Sequence, residues 1–461
     1  MKMPNDTRTA LLGGSYMVAM DEDWGIGPTV YGAAKGNFGG LFTVGFTAQH
    51  RKRLGSSTYL ATSLYAGAGG GVSMPDVRFG GGLMLRPEIS LRNEWGNWSG
   101  GLSLSHVRFP SGNIRGTSIG FVLGYADGFR SFSPSSAGKK ASSYRRTGMG
   151  FDEIGLNVGS YRPRHSALGR DGSPLGRQIG QVGAALRQYV SDGAWWGLEA
   201  AGASSGGADG YMEVLGMLGE DYELVAGLPR LGWQAGVGLG GGGNLNTGSG
   251  WLVKAGPTLR WKTPWGPSLR LEAGFVGRPA GSFNANFLRL SASLPLDRLS
   301  DVYASSGDAE GRIANQVVGA SLQHLRRVRF KDGREESVGL LGMRITRDLG
   351  PHVYGMAQAG SAAFGSAGAY SYGLLGLGLQ TQPSAGMPVS VGLEMGLGAG
   401  GGGGIAVSGG AIAQTEAWAE WQWERVRLHA GLGQWRSLRG QTQSSPSFNL
   451  SVGYAFGALS R

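Results

Sequence analysis

Apolar and polar residues alternate with a period of two over most of the chain. In residues 83–92, Leu83, Leu85, Pro87, Ile89 and Leu91 share one face, and Met84, Arg86, Glu88, Ser90 and Arg92 the other. Residues 269–275 set Leu269, Leu271, Ala273 and Phe275 against Arg270, Glu272 and Gly274. Residues 389–399 set Val389, Val391, Leu393, Met395, Leu397 and Ala399 against Ser390, Gly392, Glu394, Gly396 and Gly398. Helical spacing is almost absent, so the pattern predicts an all-β chain with one apolar and one polar face per strand. A β-sandwich or solenoid shows the same alternation. Two features favour a transmembrane barrel. Many segments run about 9–12 residues, the length needed to cross a bilayer at a tilt, and the far faces carry Arg, Glu, Ser and Gly, which suit a wet lumen.

Three glycine-rich blocks recur: "LYAGAGGGV", "AGVGLGGGGN" and "MGLGAGGGGGI". Their spacing is long, roughly 160–170 residues, and flanking blocks keep the same order, which suggests a multi-strand unit present three times. The units are 1–130, 153–296 and 315–461, joined by a basic connector at 131–152 and a second connector at 297–314. Strand counting gives about eight in each of the second and third units and about seven in the first. The expected fold is therefore a single large antiparallel barrel of about 22–24 strands. The strand lacking in the first unit would precede Leu11, so that unit is truncated or the natural N-terminus is missing. The glycine runs (Gly69, Gly70, Gly71; Gly240, Gly241, Gly242, Gly243; Gly400, Gly401, Gly402, Gly403, Gly404) are expected as hairpin tips on one rim, in pseudo-threefold arrangement around a contact site.

The last strand places Phe448, Leu450, Val452, Tyr454 and Phe456 on one face, and Asn449, Ser451, Gly453 and Ala455 on the other. It resembles the C-terminal β-signal of Gram-negative outer-membrane barrels, although "GALSR" follows Phe456 where that family ends at the aromatic. The resemblance implies insertion by the barrel assembly machinery into the outer membrane of a Gram-negative bacterium. It also implies contact with outer-membrane lipid and lipopolysaccharide, and termini on the periplasmic side. Threading backward from this strand sets the glycine tips outside. The tryptophan turns "EWGNW" and "TPWG", with Trp421 and Trp423, then fall at the periplasmic interface, as an aromatic girdle would.

Composition narrows the chemistry. With no cysteine in 461 residues, disulfides, thiolate metal sites and covalent c-type haem are excluded. No apolar run reaches the length of a membrane helix, and "MKMPNDTRTALLGGSYM" lacks the apolar core of a signal peptide. The six histidines (His50, His106, His165, His324, His352, His429) have no metal-ligand spacing. Gly202–Gly206 matches G-x-S-x-G only inside a glycine-rich turn. No enzyme, cofactor or nucleic-acid partner is expected. The formal charge of +11 points to polyanionic surroundings. Arg162, Arg164, Arg170, Arg177, Arg326, Arg327, Arg329, Lys331 and Arg334 fall in outer loops, where they would meet lipopolysaccharide phosphates or another anion.

Inward charges of mixed sign are expected at Arg86, Glu88, Arg92, Lys254, Arg260, Arg270, Glu272, Arg289, Glu394, Glu420 and Glu424. They would either set the selectivity of a pore or pair across neighbouring strands. A lumen of about 22–24 strands leaks unless filled. The sequence therefore points to an outer-membrane conduit or scaffold in a multi-component envelope assembly, for export or surface anchoring, with a protein partner in or on the barrel. A general diffusion porin is the alternative, and a self-assembling glycine-rich surface fibre a third.

Overall fold

The computed structural model describes all residues except 72, 73, 75, 144, 145, 165, 166, 264, 265, 279–281, 297–308, 384–386, 441 and 461. His165, the Pro264–Trp265 pair of one expected turn, and most of the 297–314 connector lie outside the described residues. No α-helix occurs among the described residues.

The strands fall into three sheets. The first holds β1 (Ala10–Ser15), β2 (Val18–Ala19), β3 (Trp24–Lys35), β4 (Phe42–Arg53), β5 (Thr58–Gly70), β6 (Leu83–Trp95), β7 (Trp98–Arg108) and β8 (Arg115–Tyr125). After the short β9 (Lys140–Ser143), the second holds β10 (Glu153–Pro163), β11 (Ile179–Tyr189), β12 (Ala194–Ala203), β13 (Met212–Tyr222), β14 (Arg230–Gly241), β15 (Trp251–Lys262), β16 (Ser268–Gly277) and β17 (Asn284–Pro295). The third holds β18 (Ala309–Arg329), β19 (Glu335–Asp348), β20 (Val353–Phe364), β21 (Ser371–Gln380), β22 (Val389–Gly401), β23 (Ala411–Trp423), β24 (Val426–Ser437) and β25 (Ser444–Ser460).

Sheet 2 is a closed antiparallel barrel, because β10 pairs with both β11 and β17. Sheet 3 closes the same way: β18 pairs with β19 and β25, and β9 adds to the lower end of β18. Sheet 1 runs β1-β3-β4-β5-β6-β7-β8 and stays open. Its β1 and β2 are two halves of one position, both paired to β3 and interrupted at Tyr16–Met17.

The expectation of one closed sheet of about 22–24 strands is thus corrected. The first strand of sheets 2 and 3 finds its second partner within its own sheet, and eight strands already close an interior that side chains can fill. Among the described residues no single wide lumen forms.

All three sheets share one polarity. The hairpins ending in glycine lie at one end, here the tip rim. The tight turns, such as Glu424–Arg425, lie at the other, the base. Just inside the tip rim each sheet has an apolar cluster: Phe38, Leu41, Phe79 and Phe109 in sheet 1; Tyr211, Leu245, Leu252 and Phe283 in sheet 2; Phe330, Tyr370, Ile405 and Trp435 in sheet 3. In sheets 2 and 3 the tip loop itself supplies a plug, Leu245 and Ile405, both fully buried.

Candidate functional site

Below its apolar plug, barrel 2 is filled with paired charges. Glu153, Glu199, Glu213, Asp221 and Glu272 face Arg187, Lys254, Arg260, Arg270 and Arg289, and all are buried. Arg270 grips Asp221 with two bonds of 2.7 Å. Lys254 Nζ lies 2.6 Å from Glu199, and Arg260 Nη2 lies 2.8 Å from Glu153. Glu272 sits at the centre, accepting from Arg289 Nε at 2.9 Å, Gln234 Nε2 at 2.8 Å and Ser291 Oγ at 2.8 Å. Tyr161 and Tyr211 both donate to Glu213, at 2.6 Å. Rings close the remaining space: Trp195 lies under Arg187 and Arg270, and Phe287 under Lys254. Carboxylates and cations match in number, so these ten side chains together carry no net charge. The interior is a polar core, and its charges satisfy one another, which an interior of low dielectric demands.

Lys254, Arg260, Arg270, Glu272 and Arg289 do face inward, but so do Glu153, Arg187, Glu199, Glu213 and Asp221, which were not expected from the sequence. Their signal was present: Glu199 is the single charge, at the inward phase, of the otherwise apolar β12, and Glu213 and Asp221 share the inward phase of β13. Barrel 3 repeats the theme more sparsely. Arg344 and Glu394 form a two-bond pair that also accepts from Tyr354, while His429 Nε2 lies 2.8 Å from Glu416. Glu420 lies 3.8 Å from Arg427. Glu424 is a correction: it is exposed in the tight turn between β23 and β24, not inside the barrel. In sheet 1, Arg86 donates to Glu88 at 2.7 Å and to Tyr31 at 2.8 Å. Arg92 reaches Glu88 only at 3.8 Å.

The glycine runs explain how the sheets meet. A Cβ on Gly241 would strike the backbone of Gly40, one on Gly401 the backbone of Gly210, and one on Gly70 the backbone of Ala369. Gly40, Gly210 and Ala369 hold corresponding loop positions, with φ of +93°, +89° and +87°. The loop of sheet 1 therefore abuts the tip of sheet 2, that of sheet 2 the tip of sheet 3, and that of sheet 3 the tip of sheet 1. The contacts are cyclic and run backbone against backbone. Gly69, Gly70, Gly240, Gly241, Gly400 and Gly401 still belong to strands; only Gly242, Gly243, Gly402, Gly403 and Gly404 turn the chain, with positive φ. Gly71 follows β5 and packs on Leu41 and Phe79.

Two of the expected anion-contact residues work in this seam instead. Arg170 donates to the carbonyls of Gly39 and Asn37, at 3.1 and 2.8 Å, and Lys331 pairs with Asp209 at 2.8 Å. Beside Arg170, hydrogen bonds from the Ser173 hydroxyl, Asn244 and the Ser173 N–H hold the Asp171 carboxyl down at about 2. Arg334 is engaged by Asp332 and Glu336, Arg329 lies 3.9 Å from Glu335, and Arg164 lies over Phe275. Arg162, Arg177, Arg326 and Arg327 are exposed.

The outer faces are inverted relative to a soluble protein. Leu156, Val158, Leu198, Leu218, Leu288 and Leu290 stand exposed around barrel 2 while its charges are buried. Every exposed Trp and Tyr among the described residues lies near the base: Trp24, Trp95, Trp98, Tyr125, Trp196, Tyr222, Trp233, Trp421, Trp423 and Tyr454. Phe448, Leu450, Val452 and Tyr454 are exposed on the outer face of β25. Phe456 does not end that strand, which continues to Ser460 by pairing with the lower part of β18. Met1 is a further correction to the threading: it packs beside Gly116 at the tip rim, opposite the base where β25 ends.

No protein-family model matches the chain, and no curated protein matches it. Among solved structures, it is similar to the ferripyoverdine receptor of the outer membrane of Pseudomonas aeruginosa, with 11% identity over 97% of this chain and 70% of the receptor, at a TM-score of 0.26. It is also similar to the FrpB iron transporter from Neisseria meningitidis (9% identity, 95% and 82% covered, TM-score 0.29). A bacterial polysaccharide outer membrane secretin matches at 6% identity, with 94% and 97% covered and a TM-score of 0.26. Likenesses at such identities and scores carry no weight, and the fold rests on the chain's own strand pairing.

Proposed function

We propose that the chain is a non-catalytic scaffold embedded in the outer membrane of a Gram-negative bacterium, holding two small closed barrels and one open sheet side by side for a multi-component envelope assembly. One observation carries this reading: in barrel 2 the charges are inside and the apolar side chains outside, the arrangement that a lipid surround stabilises. The belt of tryptophan and tyrosine at the base supports it, since such rings collect at membrane interfaces. The packed interiors favour a scaffold over a conduit and leave the rim and the outer walls as the working surfaces. There the exposed Arg162, Arg177, Arg326 and Arg327 suit lipopolysaccharide phosphates. The test has two parts. The protein should leave membranes only with detergent and migrate differently before and after boiling; a water-soluble monomer defeats the proposal. Purified protein in planar bilayers should give no steady channels. Steady conductance would favour the diffusion-porin reading instead.

A further inference from the structure

Inside barrel 3 lies a ring of polar side chains whose own contacts leave oxygens over. Gln323 on β18 lies directly opposite Asn449 on β25, and both are buried. Gln323 Nε2 donates to Gln414 Oε1 at 2.8 Å, and Gln414 Nε2 donates onward to Glu416 Oε2 at 3.3 Å. Asn449 Nδ2 donates to the same carboxylate oxygen, also at 3.3 Å, which closes the ring. Glu416 fixes the orientation of all three amides, because a carboxylate only accepts. The nitrogens of Gln414 and Asn449 must face it, and the Gln414 oxygen must then face Gln323. Two carbonyl oxygens remain, Gln323 Oε1 and Asn449 Oδ1, and among the described residues neither has a hydrogen-bond partner. The hydroxyls of Ser321 and Ser447, each one inward position along the same strand, have none either. All four side chains belong to residues at most 4% exposed, so bulk water does not serve them.

Glu416 has the complementary deficit. Its carboxylate lies against Gly431, where a Cβ would strike it. Among the described residues no Lys or Arg forms an ion pair with it, and its one basic partner is His429, whose Nε2 is 2.8 Å away. The other ring nitrogen of His429 has no hydrogen-bond partner among those residues. A buried imidazolium needs an acceptor at both nitrogens, so His429 is neutral and donates from Nε2. Arg344 is already bound at both oxygens of Glu394. One negative charge therefore sits among oxygens with lone pairs to spare, which a buried site tolerates poorly.

We propose that this ring binds one alkali-metal cation. Amide and hydroxyl oxygens with a single carboxylate are the ligand set of a hard cation, not of a transition metal. Charge selects among the hard cations: a monovalent ion neutralises Glu416, whereas a divalent one leaves a surplus positive charge in the interior. Trp435, Tyr370 and Ile405 close the barrel on the tip side. Entry is from the base, past Ser451, which with Gly319, Arg344 and Glu420 lines a cavity of about 10 Å³, room for one water-sized body. The site rests on the barrel interior and does not depend on the membrane assignment.

The test uses the full chain in nonionic detergent micelles, dialysed into choline chloride and then given radiolabelled sodium or rubidium ions. The chain should retain one ion. Sodium or potassium chloride should also raise its thermal midpoint by about 3 °C or more over choline chloride at equal ionic strength. Gln323→Met keeps the length of the side chain but removes its carbonyl, and should weaken retention about tenfold or more. If Gln323→Met does not fold, Ser447→Ala probes the same ring. Gln181→Met, in barrel 2, should leave retention unchanged. Equal midpoints in choline, sodium and potassium with no ion retained overturn the proposal, and the spare oxygens then hold water alone. Retention that survives both Gln323→Met and Ser447→Ala overturns it too, as does a preference for calcium over the alkali ions.

Discussion

Barrel 2 and sheet 1 share strand order, tip geometry and base turns, yet one is shut and the other is not. The difference is concentrated at one hairpin. In barrel 2 the cross-strand pair Glu272–Arg289 sits on β16 and β17, buried and tied to Arg187 and Glu199. In sheet 1 the matching pair on β7 and β8 is Ser103–Gly120. A buried charge is tolerable only where enough partners surround it, and those partners come from a complete ring of strands. Sheet 1 lacks the ring and holds small residues where barrel 2 holds charges. Closure and interior chemistry are therefore one property.

The largest expected effect lies inside barrel 2. Glu272→Ala leaves Arg289 with Glu199 alone and Arg187 with only the longer contact to Glu153, both in a buried site, and should cost about 3–5 kcal/mol. Glu88→Ala in sheet 1 removes a carboxylate that mainly serves Arg86 and should cost about 1.5–3 kcal/mol. Urea unfolding in micelles, followed by tryptophan fluorescence, compares the two. Equal costs would break the link between closure and interior chemistry. Next comes the seam. Gly401→Leu drives a side chain into the Gly210 backbone and should cost about 1–3 kcal/mol by overpacking. Gly14→Leu on the open β1 edge meets nothing within 4 Å and should stay within about 0.5 kcal/mol. Thermal midpoints of both variants check this; a costly Gly14→Leu would mean that the open edge is already covered. The smallest effect belongs to Lys331→Ala. Its exposed bridge to Asp209 should contribute about 0.2–1 kcal/mol, vanishing in about 1 M salt. Loss of stability that persists in high salt would show that Lys331 acts by packing.

Much of the fold was legible from residue order. Alternation through 83–92, 269–275 and 389–399 identifies β6, β16 and β22, and it sets Arg270 and Glu272 opposite Leu269 and Leu271. It could not say whether that charged face lines water or packs against itself. Asp221 and Arg187 show why: Arg187 is the one charge of β11 and Asp221 has only other carboxylates on β13, and each becomes part of a neutral network only when distant strands bring Glu272 and Arg270 to it. Glu424 failed for a local reason, since the chain reverses there with a positive φ and the alternation stops.

The sequence by itself determined the strands, their two faces and the glycines that end them, because side-chain direction in a strand depends only on neighbours along the chain. Only the tertiary structure decided how many sheets those strands make. That depends on which strand meets β17, β25 or β8 across space. Local residues leave this choice open; ring size and the pairing of buried charges settle it.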